Sequence, residues 1–238
     1  MLNTLLFDLD GTLLSVDTDH FVDSYLRLLA LKLQELVDPK KFIDSLLEAT
    51  YVMIHHQKPT KTNKEVFWET FFPMVPCNPE KLAEVLDEFY EVDFPKLSYI
   101  SPDNSIPADI LKTALEKGYE IVIATNPIFP ESAVQDRLRW INAKAFPYKL
   151  ITTYENMHFS KPYKEYYLEI LDKIQRRPQD CMMIGNDVEE DMVAGDLGMK
   201  TYLVTDYLIN RKSLDKKPDH TGTLMELRDY INNLEEVM

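Results

Sequence analysis

Glycine is scarce in this chain of 238 residues: there are six, and none falls between positions 12 and 117. That glycine-free stretch reads as one helix after another. Cysteine is scarcer, with only Cys77 and Cys181. Two cysteines exclude a disulfide framework, and neither has neighbours at metal-ligand spacing. Cys181 opens the apolar run Cys181–Ile184 and is expected inside a buried strand. Basic charge is also short, with 26 Lys+Arg against 40 Asp+Glu and a net charge of -14. Such a surface repels phosphate backbones and anionic lipid, so neither nucleic acid nor a membrane is expected as a partner. A small anionic substrate stays possible if a metal or a local lysine offsets the field. No apolar run approaches the roughly 18 residues that span a bilayer. The N-terminus lacks a basic region, and Asp8 and Asp10 interrupt its apolar stretch, so no signal peptide is read there. A soluble, cytoplasmic protein is expected.

What is present is an ordinary globular composition, 45% hydrophobic and 28% charged, long enough for a core with an insert. Thr18-Asp19 can cap a run in which Phe21, Val22, Tyr25, Leu28, Leu29 and Leu33 keep helical spacing. Further helices are expected at about 40–56, 63–72 and 79–94, divided by Pro39, Pro59 and the Pro73–Pro79 segment. The remainder alternates. Leu5-Leu6-Phe7 is a strand ending in an Asp10-Gly11 turn. A helix over 107–117, closed by Gly118, leads to a strand over Tyr119–Thr125. Then come a helix at about 130–141, a weak strand at 149–153, a helix at 164–175 and the strand Cys181–Ile184. A helix at 188–197, the strand Lys200–Val204 and a final helix at about 223–236 complete the pattern. Alternating strands and helices predict a doubly wound, Rossmann-like parallel sheet, with ligands beyond the carboxyl ends of its strands.

Each of those strand ends carries something chemical. The first runs into Asp8-Leu9-Asp10-Gly11-Thr12, whose paired carboxylates suit a hard cation such as Mg2+ or a division of labour between nucleophile and proton carrier. A calcium loop fails, because Leu13 stands where the tight turn needs glycine. A simple Asp-Gly turn explains the motif equally well on its own. The second strand ends in Thr125-Asn126-Pro127, where a hydroxyl and free amides could hold phosphoryl oxygens; a polar loop stopped by proline is the plainer account. Lys161-Pro162 offers a point charge that could neutralise a carboxylate and a phosphate together, although a lone lysine is usually a surface residue. Gly185-Asn186-Asp187-Val188-Glu189-Glu190-Asp191 crowds acids at a helix start. They stabilise the helix terminus or face a cation, with Glu189 and Glu190 expected in solvent.

In order and placement these four segments resemble the motifs of the haloacid dehalogenase-like hydrolases, and the resemblance covers the whole α/β core. It implies core segments at residues 1–15 and 98–238 and a helical cap domain at 16–97. By the same resemblance Asp8 is the nucleophile that becomes an aspartyl-phosphate, and Asp10 protonates the leaving oxygen and then activates water. Thr125 and Asn126 bind the phosphoryl group, and Lys161 balances its charge. Mg2+ is held by Asp8, the Asp10 carbonyl and an acidic-loop residue. Family members often carry Asp at the position of Asn186, so Asp187 is the favoured ligand here, with Asn186 and Asp191 as alternatives.

A Mg2+-dependent phosphatase acting on a small phosphorylated metabolite is therefore expected. A phosphomutase or a non-catalytic phosphate-binding regulator are the alternatives. A dehalogenase fits less well, since a halide leaving group needs no protonation and Asp10 would have no task. In the insert, His55-His56, Lys58, Lys61 and Lys64 lie near Phe67, Trp68, Phe71 and Phe72. The aromatics are expected to pack the helices and the lysines to form a solvated loop, and His20 to sit at the surface. Substrate identity is not written in these residues, because fold-level likeness does not carry specificity.

Overall fold

The computed structural model describes residues 1–102 and 105–237. Its centre is a six-stranded sheet in the order β3-β2-β1-β4-β5-β6, every pair parallel. The strands are β1 (Thr4–Phe7), β2 (Glu120–Ile123), β3 (Leu150–Ile151), β4 (Cys181–Gly185), β5 (Lys200–Val204) and β6 (His220–Gly222). Short, continuously apolar runs form the central strands because helices cover both faces. Leu5, Phe7, Ile121, Ile123, Met182 and Ile184 pack on one face. Leu6, Val122, Ala124, Cys181 and Met183 pack on the other, against Tyr166, Tyr167 and Ile170. This is the two-residue alternation of a pleated strand.

Register places the functional ends together. Phe7 pairs with Ile123 on one side and with Ile184 on the other. Asp8, Ala124 and Gly185 therefore stand at one level of the sheet rim. The chain winds outward from β1 through β2 to β3, then returns to β4 on the opposite side of β1. Asp8 thus lies where the winding direction reverses, the usual crevice for a ligand in such sheets.

Between β1 and β2 lie α1 (Thr18–Leu33), α2 (Pro39–Ile54), α3 (Asn63–Phe71), α4 (Pro79–Glu88) and α5 (Ile106–Glu116). The caps are written locally: Asp17 accepts from the His20 N–H, Asp38 precedes Pro39, Thr62 and Glu65 form a capping box, and Asn78 precedes Pro79. The cap of α1 is thus Asp17 rather than Thr18-Asp19. Phe21, Tyr25, Leu29 and Leu33 make its buried stripe. The single helix expected over 79–94 is divided instead. A π-turn at Phe89–Asp93 and a 3-10 segment at Phe94–Ile100 follow α4, because Pro95 cannot donate an N–H to continue the ladder.

The later helices are α6 (Glu131–Trp140), α7 (Lys164–Ile174) and α8 (Leu224–Asn233). No α-helix forms over 188–197; only a 3-10 segment at Met192–Leu197 does. The Asp187 and Asp191 side chains bind nearby backbone N–H groups, a local alternative to helix, and Gly195 lowers the propensity further. The strand β6 was not foreseen; three residues including His220 and Gly222 show no readable apolar period. Among the described residues, no helix is long and apolar enough to cross a membrane.

Candidate active site

β1 delivers Asp8 to the rim with its backbone N–H bonded to the Ile184 carbonyl at 2.9 Å. The turn that follows needs Gly11, whose φ is +80° and where a Cβ would strike the Asn186 side chain. That turn brings the Thr12 hydroxyl to 3.2 Å from Asp8 Oδ2 and 3.0 Å from Asn186 Oδ1. It also directs Asp10 towards α6, where its Oδ2 pairs with Arg137 Nη1.

Lys161 is buried rather than a surface residue, its side chain 1% exposed. Its ammonium donates to Asp8 Oδ1 at 2.8 Å and to Asp191 Oδ1 at 2.6 Å. Asp191 can reach it because Gly185 leaves the space; a Cβ there would fall on the Asp191 carboxylate. The second Asp191 oxygen accepts from the Asp187 N–H at 3.0 Å. Burial alone would pull the Lys161 pKa down, but the Asp191 and Asp8 carboxylates outweigh it and hold the group charged. Burial pushes Asp191 upward, against the opposing pull of Lys161.

Thr125 is buried, and its carbonyl is pinned by the Thr152 hydroxyl at 2.7 Å and the Tyr166 hydroxyl at 2.9 Å. Asn126 Nδ2 donates to Glu190 at 3.2 Å, while its Oδ1 is buried with no partner among the described residues. Asn186 Nδ2 donates to the Tyr207 carbonyl at 2.6 Å. Asp187 Oδ1 accepts from the N–H groups of Glu189 and Glu190 at 2.7 and 3.0 Å, and its pKa is raised chiefly by burial.

All eight residues singled out from the sequence therefore converge on one region. Seven line a cavity of about 140 Å³, with Lys161 bonded to its Asp8 and Asp191 walls. Glu189 and Glu190 do not face open solvent as expected. Glu189 pairs with Lys212 at 2.9 Å, and Glu190 lines the cavity, its pKa pushed up to about 7 by burial.

Sequence reasoning missed Arg137. It is fully buried on α6, donates from Nε to the Ala133 carbonyl at 3.2 Å, and lies 4.6 Å from the Phe129 ring centre and 5.6 Å from that of Phe21. A signal existed: Ala133, Arg137 and Ile141 share one apolar helix face. Asp10 Oδ1 and Arg137 Nη2 remain buried without partners among the described residues. Burial raises the Asp10 pKa, and the guanidinium opposes that rise. Asn63, also missed, ties α3 to the rim loops. Its Nδ2 lies 3.1 Å from the Pro127 carbonyl and 3.0 Å from Ser160 Oγ.

In the insert the expected packing holds. Phe67 and Phe71 are buried and stacked at 5.2 Å, Trp68 stacks on Phe72 at 4.7 Å, and Lys58 and His20 are exposed. The lysines do not form one solvated loop, however: Lys61 is half-buried and pairs with Glu69, and Lys64 lies on α3.

The donor set fits a hard cation. Asp8, Asp10, Asp187, Glu190 and Asp191 line the cavity, with Arg211 the cation among its lining residues. Among the described residues no three His, Cys, Asp or Glu groups stand ready to chelate a metal. Mg2+, a hard cation of this sort, takes one or two carboxylates and keeps water and phosphate oxygens for the rest.

A family model described as haloacid dehalogenase-like hydrolase matches residues 2–196. Pyrophosphatase PpaX of Anoxybacillus flavithermus is 22% identical over 205 residues, covering 84% of this chain and 82% of that one. A HAD phosphatase structure from Thermococcus onnurineus has a TM-score of 0.60 at 19% identity, covering 99% of this chain and 100% of that one. L-2-haloacid dehalogenase from Xanthobacter autotrophicus gives 0.61 at 11% identity, covering 98% and 100%. The two structures establish the likeness of fold. With the family model spanning most of the chain and the four motif segments meeting at one sheet rim, this protein is an enzyme of the haloacid dehalogenase-like hydrolase family.

Proposed function

We propose that the enzyme hydrolyses a small phosphate monoester through a covalent intermediate on Asp8. The observation that carries this reading is the buried Lys161 ammonium, held against Asp8 at 2.8 Å in a cavity that Asp10 also lines. A carboxylate attacks an anionic phosphorus centre only when cations neutralise both partners. An Asp8 oxygen forms the new bond to phosphorus as the ester P–O bond breaks. Asp10 gives its proton to the departing alkoxide, then takes one from the water that cleaves the acyl phosphate. The Thr125 hydroxyl, Asn126 and Lys161 hold the phosphoryl oxygens. Asp8, the Asp10 carbonyl and Asp187 would hold Mg2+, with Asn186 and Asp191 as alternatives, and the ion would offset phosphate charge. Asp191, whose two oxygens serve Lys161 and a backbone N–H, is read as the group that positions Lys161.

We assign residues 16–97 as the cap and 1–15 with 98–238 as the core. Asp10 separates this reading from a dehalogenase, because halide departs without a proton. Hydrolysis of p-nitrophenyl phosphate with Mg2+, with EDTA and in Asp8→Asn tests it. Mg2+-dependent turnover that disappears in Asp8→Asn is the expected result. Turnover that persists in Asp8→Asn sinks the covalent route. Conversion of a sugar phosphate into its isomer without phosphate release assigns a mutase instead.

A further inference from the structure

Beside the catalytic cavity lies a second one of about 110 Å³, built of opposite chemistry. Tyr25, Phe42, Phe67, Trp68, Phe71 and Tyr90 contribute to its wall, and no Asp, Glu, Lys, Arg or His lines it. Val22, Ile128 and Phe129 line both cavities. One face of α1 runs from one to the other: Thr18 and Val22 border the catalytic cavity, and Val22, Leu26 and Leu29 border the apolar one. At about 1.5 Å of rise per residue that stripe is roughly 16 Å long. Its shared residue Val22 lies about 6 Å of rise from the Thr18 end, within reach of an organic group attached to a bound phosphoryl group. Val22 and Leu26 stay only half-buried despite being apolar.

Three hydroxyls of this second wall already have partners. The Tyr25 and Tyr90 hydroxyls bond each other at 2.9 Å, and the Thr50 hydroxyl donates to the Leu46 carbonyl at 2.8 Å. A polyol or a second phosphate placed here would lose its water and find no charged side chain in exchange, which is costly. An alkyl or aryl group would lose only unfavourable contact with water.

Resting on the reading of Asp8 as phosphoryl acceptor, we infer that the substrate is the phosphate monoester of an apolar alcohol, its alkyl or aryl part seated in this second cavity. The organic group enters between Val22 on α1 and the loop carrying Ile128 and Phe129, while the phosphoryl group stays on Asp8 and Lys161. The net reaction is ordinary ester hydrolysis. The alkoxide leaves with the Asp10 proton as Asp8 takes the phosphoryl group, and water then supplies OH to phosphorus and returns a proton to Asp10, so an apolar alcohol and phosphate are released.

The test compares kcat/KM with Mg2+ for benzyl phosphate, glycerol phosphate and pyrophosphate. Glycerol is the slightly more acidic alcohol, so intrinsic leaving-group reactivity does not favour benzyl phosphate over glycerol phosphate. Benzyl phosphate is expected to exceed the other two by at least tenfold. Leu46→Trp, which fills the apolar cavity, is expected to cut the benzyl-to-glycerol ratio at least tenfold, mainly through KM. Leu46→Ala, which enlarges it, is expected to move the preference towards a longer aryl-alkyl ester and serves if the tryptophan variant does not fold. Faster turnover of glycerol phosphate or pyrophosphate overturns the inference and leaves the phosphatase reading standing. A ratio unmoved in folded Leu46 variants overturns it too. Absence of turnover for every probe removes the phosphatase reading, and the inference falls with it.

Discussion

The two neighbouring cavities share three residues yet hold their walls in place by different means. The catalytic cavity is made of strand ends and the turns that follow them. Its polar groups are fixed by hydrogen bonds to backbone, such as Asp191 on the Asp187 N–H and Asn186 on the Tyr207 carbonyl. The apolar cavity is made of helix faces drawn from α1 to α4, and its wall is fixed by ring packing, such as Phe42 edge-on to Phe71 at 5.5 Å. Substitutions in the first should therefore show mainly in rate, and in the second mainly in stability. Directional bonds set positions to fractions of an ångström at modest net energy, whereas buried rings carry large energy with looser geometry.

The sharpest test of that division is Asp8→Asn. Turnover should fall on the order of 10⁴-fold or more, with the urea midpoint little changed, because Lys161 keeps Asp191 as its partner. A large loss of stability would show that Asp8 is as structural as it is chemical.

Arg137→Met comes next and crosses the division, since Arg137 joins the acid Asp10 to the rings of Phe21 and Phe129. It should cost about 3–5 kcal/mol in urea unfolding, because it leaves a buried carboxylate unpaired. Asp10→Asn added to it should recover part of that loss, while turnover stays about 10²–10⁴-fold low without the acid. Equal stability of single and double variants would break the pairing.

On the apolar side, Phe71→Ala should cost about 3–5 kcal/mol and leave kcat for a minimal probe such as methyl phosphate within a few-fold. A collapse of that rate in a folded protein would show the ring wall shaping the chemistry itself.

The smallest effect lies outside both cavities. The Asp180 pKa is lowered to about 2 by its hydrogen bond from Arg177 and by the N-terminal ammonium. A depressed acid adds stability above its unfolded pKa and loses it as pH falls through the folded one. Asp180→Asn should therefore lose a small increment at neutral pH and flatten the decline between about pH 4 and 2, read as Tm against pH. An unaltered acid limb would remove that assignment.

The division also marks how far the residues could be read before folding. Asp8, Thr125, Asn186 and Asp187 lie within two residues of a strand's end, so recognising the apolar runs placed them at the rim. The stop at Gly118 is equally local. The 3-10 segment after Asp191 escaped because side-chain bonds to the backbone overrode an apparent helix start, and β6 because it has no apolar period. Arg137 escaped for another reason. Its partner Asp10 lies 127 residues away, and a charged residue on a helix is ordinarily solvated.

By itself, then, the chain's order of residues determined the alternating core, the helical insert and the four polar segments at the strand ends. Each rests on interactions within a few residues: periodicity, capping and turn chemistry. Tertiary structure alone decided that Lys161 is buried between two carboxylates, that Asn63 bridges to Pro127 and Ser160, that Glu190 turns inward, and that an apolar cavity adjoins the acidic one. Burial and charge pairing depend on what the far parts of the chain bring alongside, and no local pattern encodes the neighbour that makes a buried charge tolerable.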